Sequence, residues 1–131
     1  MDQELLKKIR ETDPESLKRE EFGIAYSFEK AVEPLQECKD LILRASSVES
    51  KLPTNVVNII VDFSQRFLNI AKKMKELTPQ NAPNLRPGIL QEVTNMVETL
   101  RLQRPHIIAL EESGETISAL SKQYQQMLSE I

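Results

Sequence analysis

The sequence predicts an all-α fold: an antiparallel bundle of four main helices with a short extra helix at the N-terminus. Three observations predict it. Apolar residues recur at three- and four-residue steps almost without a break, and the alternation of strands is almost absent. Three glycines among 131 residues leave few of the tight turns that a sheet needs. Aromatics make up 5% with no Trp, so Leu, Ile, Val and Met fill the core, as suits helices packed side by side. The length suits one ordinary domain, and we expect residues 1–131 to form it.

The first element is the short leading helix over 2–11, with Leu5, Leu6 and Ile9 on one side. The segment TDPES follows, in which Asp13 suits an N-cap, Pro14 the first helical position and Glu15 the positive helix end. A long helix is then expected over about 14–50. Its stripe is Leu17, Ile24, Phe28, Ala31, Leu35, Cys38, Ile42 and Ala45, interrupted by Gly23 and Pro34. A kink is expected near Ala31 to Pro34, because proline removes one hydrogen bond and clashes with the preceding turn.

SKLPTN makes the next turn, and Thr54 or Asn55 can cap a third helix over 55–77. Val56, Ile60, Phe63, Phe67, Ile70, Met74 and Leu77 step by 4, 3, 4, 3, 4 and 3. Val57, Ile59, Val61, Leu68 and Ala71 widen this face, which predicts a central helix with two or three neighbours. Thr78 to Gly88 carries three prolines and two asparagines and reads as a crossover loop.

The fourth helix begins near Pro87, with Leu90, Val93, Val97, Leu100 and Ile107 in its stripe. The apolar phase then shifts to Leu110, Ile117, Leu120, Tyr124, Met127, Leu128 and Ile131. Pro105, Gly114 and this shift coincide, so the chain is expected to fold back at Ser113–Gly114. Helices over 87–112 and 115–131 result. A continuous helix, its second half paired with another copy through Ile117, Leu120, Tyr124 and Leu128, is the competing reading.

Little in the sequence carries chemistry. The single histidine, His106, has Leu102, Gln103, Ala109 and Leu110 at its helical neighbours. No carboxylate shares its face, so the Glu-x-x-His pairs of di-iron bundles are absent and His106 reads as a rim residue. Glu111 and Glu115 share a face, but their polar setting points to a solvated pair. Cys38 sits among Pro34, Leu35, Leu41 and Ile42 and reads as a buried core thiol. One cysteine excludes an internal disulfide, and with no signal peptide it suggests a cytoplasmic setting. The glycines at 23, 88 and 114 are too far apart for a phosphate-cradling loop.

These readings predict a non-catalytic module for protein–protein interaction or oligomerisation, of the adaptor type. No cofactor, no metal and no small-molecule substrate is expected. A net charge of −3 speaks against a nucleic-acid partner, and Lys72, Lys73 and Lys75 suit the negative end of a helix. A second reading is a peripheral membrane bundle that uses the leading helix, where Lys7, Lys8 and Arg10 flank the apolar face. A third is a bundle enzyme or ligand carrier with a pocket around Pro34 and His106. The terminal SKQYQQMLSEI has no helix stop, which suggests an N-terminal module of a longer protein.

Overall fold

The computed structural model describes residues 2–17, 25–78 and 80–129, with the side chains within 25–30 and 114–122 left aside. Every regular element among these residues is helical, and none is a strand. The α-helices are α1 (Gln3–Glu11), α2 (Ala25–Ser47), α3 (Thr54–Lys75) and α4 (Ala82–Ser129), and short 3-10 turns span Pro14–Leu17 and Glu49–Lys51.

α1 forms where its charges and cap agree. The Asp2 carboxylate accepts from the Glu4 N–H at 2.9 Å, Glu4 lies in the first turn, and Lys8 and Arg10 lie in the last. Its apolar side is spent inside the protein, since Leu5, Leu6 and Ile9 are buried. The Lys39 ammonium of α2 donates to the carbonyls of Arg10 and Thr12 at 3.2 and 2.7 Å, which fixes the exit from α1. Asp13 caps as expected, accepting from the Glu15 N–H at 3.1 Å. What it caps is only the 3-10 turn Pro14–Leu17. Of the single helix expected over 14–50, the structure describes this turn and then α2, and the expected break at Gly23 lies outside the described residues.

α2 continues through Pro34 and buries Ala31, Val32, Leu35, Cys38, Leu41, Ile42 and Ala45. α3 begins one residue earlier than expected. Pro53 therefore takes the cap position, without a side-chain bond, in place of Thr54 or Asn55. Val56, Ile60, Phe67, Ile70, Ala71 and Met74 are buried, and Phe63 and Leu68 pack half-buried beside them. The buried Ser64 hydroxyl donates to the Ile60 carbonyl at 2.7 Å, so a polar atom in the core is satisfied.

The expected loop from Thr78 to Gly88 is shorter than predicted. Thr78 and Asn81 exchange bonds: the Thr78 N–H donates to Asn81 Oδ1 at 2.7 Å, and the Asn81 N–H to Thr78 Oγ1 at 3.3 Å. This clasp starts α4 at Ala82, so Pro83 falls in the first turn, where its missing N–H costs little. Pro87 and Pro105 then lie inside the helix.

Two ion pairs set the direction of packing. Glu37 meets Arg101, and seven residues on Arg44 meets Glu111, so α2 and α4 run parallel. α3 returns between them in the chain, with Lys73 reaching Glu92 near the start of α4. α4 lies chiefly along α2 and touches α3 little, which makes α2 the central helix where the sequence suggested α3. The largest departure is at Ser113–Gly114. The chain does not fold back there. α4 is one helix of 48 residues, about 72 Å long, which takes in the expected helix over 87–112 and residues 115–129 of the one expected over 115–131, with 130–131 outside the described residues.

Candidate functional site: the projecting half of α4

The first half of α4 is a packed helix. Ile89, Val93, Met96, Val97, Leu100 and Ile107 are buried against the bundle. Two bidentate clamps hold its flank to α2. Arg101 donates to both Glu37 oxygens at 2.8 and 2.6 Å, and Arg44 donates to those of Glu111 at 3.0 and 3.4 Å. The first clamp holds the Glu37 carboxyl below its usual range, chiefly through the Arg101 hydrogen bond, with burial opposing. The second engages Glu111, and the side chain of Glu115 lies outside those described.

Beyond Glu111 the helix continues while its neighbours do not. α2 has 23 residues, about 35 Å, and ends at Ser47, close in register to Glu111. Side chains 123–129 are all exposed, and their described hydrogen bond is local, from Ser129 to the Gln126 carbonyl. Tyr124, Met127 and Leu128 are 63%, 64% and 53% exposed, and further back Leu102 is 79% exposed. The large exposed apolar side chains among the described residues all stand on α4, with Leu85 completing the set. Among their described side chains, helices α1 to α3 show none, although Val57, Ile59 and Val61 of α3 stay partly exposed. Gly114 costs only about 1 kcal/mol inside a helix and does not stop α4.

Of the predicted interaction residues, Tyr124 and Leu128 are exposed, while the side chains of Ile117 and Leu120 lie outside those described. Leu102 and the two clamps were missed. Leu102 shared a helix with the buried Leu100, and only packing separates them. The clamps join residues more than sixty positions apart, which local spacing cannot pair.

The other candidate sites come apart or stay ordinary. His106 is exposed. A groove of about 590 Å³ runs between α2 and α4, lined by Glu37, Arg101, Arg104, Pro105, Ile108, Ala109 and Glu112. Neither Pro34 nor His106 lines it. A second groove of about 560 Å³ lies between α1 and α3, with Lys8, Lys72 and Lys75 beside Glu11 and Thr12. Cys38 is buried, and burial pushes its thiol up to about 12, which leaves it unreactive. Among the described residues no three His, Cys, Asp or Glu side chains gather as a metal ligand set, and no helix is long and apolar enough to cross a membrane.

Compared with protein-family models, with curated proteins and with solved structures, the chain matches none.

Proposed function

We propose that this chain is a non-catalytic oligomerisation module, in which a packed helical body presents the second half of α4 as its binding face. One observation carries the reading. α4 runs unbroken to Ser129, past the last clamp at Glu111, with Tyr124, Met127 and Leu128 bare to solvent. A helix in water alone gains little from propensity, and most of its stability comes from covering an apolar face. An apolar stripe left open on a projecting helix is therefore the mark of an interaction surface. The residues of that face are Ile117, Leu120, Tyr124 and Leu128, with Met127 beside them. The body serves to hold and orient α4, through the α2 clamps and the buried stripe from Ile89 to Ile107.

The test is the solution mass of residues 1–131 by light scattering across a range of concentrations. Self-association gives a species at about twice the 15.0 kDa chain mass that grows with concentration. A constant 15.0 kDa at every concentration rules the module out as a self-associating one.

A further inference from the structure

We propose that the self-associating face of α4 does not begin where the body ends: it begins at Leu102, over the packed half, runs to Leu128, and is covered by the same stripe of a second copy. This rests on the oligomerisation reading above and extends its surface back along the helix. The first observation is Leu102. It is 79% exposed, more than any other large apolar side chain described, yet it stands where α4 is packed, between the buried Leu100 and Ile107. A lone exposed leucine needs no explanation. Leu102 is not alone, because Pro105, His106 and Ala109 are exposed within the next two turns.

Helical geometry joins these residues to the tip. An α-helix turns once in 3.6 residues, so positions about 18 apart share a side, five turns away. His106 and Tyr124 stand at that spacing, and so do Ala109 and Met127. Leu102 lies about two turns before Ala109 on the same side. The exposed side chains described on the two halves therefore make one stripe, about 39 Å long from Leu102 to Leu128. Pro105 and Ala109 also line the groove of about 590 Å³ between α2 and α4, with Ile108 beside them. The surface next to Leu102 is thus concave and partly apolar, a shape that takes side chains of a facing helix.

Area is the second observation. Even a large aromatic side chain buries only roughly 150–250 Å². Tyr124, Met127 and Leu128, a little over half exposed, bring under roughly 450 Å² between them. A stable pair needs about 800 Å² from each partner. The tip's described apolar side chains fall short, and Leu102, Pro105, His106 and Ala109 continue the same side of the helix toward that size. A second copy fits because the large exposed apolar side chains among the described residues all stand on α4. A symmetric pair needs one patch that meets itself, and a stripe along one side of one helix is such a patch.

Light scattering across a concentration series tests this in the whole chain with three variants. Leu102→Lys puts a charge into the stripe over the packed half. It should raise the dimer dissociation constant about tenfold or more, and leave the urea midpoint of dilute protein unchanged, as an exposed site does. Ala109→Lys should act in the same direction, and replaces Leu102→Lys if that variant lowers the midpoint. Gln125→Lys adds the same charge at an exposed position away from the stripe and should leave the dissociation constant as it is. A wild type that dimerises, with Leu102→Lys and Ala109→Lys dimerising equally well, overturns the extended stripe and leaves the oligomerisation reading in place. Equal weakening by Gln125→Lys shows a general effect of charge and also overturns the stripe. A wild type that is monomeric throughout, with a foreign partner or none, removes the oligomerisation reading, and this proposal with it.

Discussion

The two halves of α4 share one helix and live under different rules. From Ile89 to Ile107 the helix is held by burial and by two salt-bridge clamps to α2. From Ser113 to Ser129 it keeps the same backbone with exposed side chains wherever they are described. Pro105 lies in the first half and is overridden there. Buried contacts on both sides of it supply more than the roughly 3 kcal/mol an interior proline costs. The difference teaches that a helix can be continuous for two reasons, and only one of them is visible within the chain.

Substitutions that empty the core should break the comparison most sharply. Leu100 is fully buried, and Leu100→Ala should cost about 2–5 kcal/mol in urea unfolding. Tyr124→Ala, by contrast, should leave the unfolding of dilute protein within about 0.5 kcal/mol of wild type, as an exposed site does. A large loss from Tyr124→Ala in dilute protein means that the second half packs on its own body.

Association should respond in the opposite sense. Leu128→Lys puts a charge on the exposed apolar face of α4 and should weaken self-association by about tenfold or more, or about 1.4 kcal/mol, measured by light scattering against concentration. Leu100 is buried in the body, away from the exposed face, so any folded fraction of its variant should still associate.

Gly114→Ala sharpens the question of continuity. In a helix interior alanine is better by about 0.5–1 kcal/mol, so the variant should show more helix by circular dichroism and unfold no earlier. If Gly114 instead held a left-handed turn, the same change would be destabilising.

The smallest effect belongs to the Glu37–Arg101 clamp. Its carboxyl is held below the usual range, so the stability it adds is fully present above the ordinary carboxylate pKa and is lost as pH falls through the lower folded value. The clamp is largely exposed, so it should contribute within about 0–1 kcal/mol. Arg101→Gln should narrow the gap in urea midpoint between neutral and acidic pH by that much, and should leave the mass unchanged.

Much of the body was legible from local pattern. The Asp13 cap, the stripes of α2 and α3, the buried Cys38 and the exposed His106 all follow from spacing and neighbours. Boundaries were less legible. The prolines between Thr78 and Gly88 suggested a loop, but the Thr78–Asn81 clasp places Pro83 in the first turn of α4 and Pro87 inside it. The phase shift after Ile107 was read correctly as a change of environment and wrongly as a turn. A helix that runs on with an open face and a folded-back helix have the same sequence signature, since each shows an apolar face in a new phase.

By itself, then, the sequence determined that the chain is helical, many of the residues the body buries (Ile24 and Phe28 of the expected stripe lie outside those described), and that the apolar face of the last forty or so residues changes phase, because helix propensity and side-chain spacing act over a few turns. The tertiary structure decided where burial ends. α2 stops at Ser47, and α4 runs on past Glu111 with Tyr124, Met127 and Leu128 exposed. The physical reason is that a weak breaker such as Gly114 ends a helix only when turning back covers more surface than going straight, and that comparison depends on residues distant in the chain.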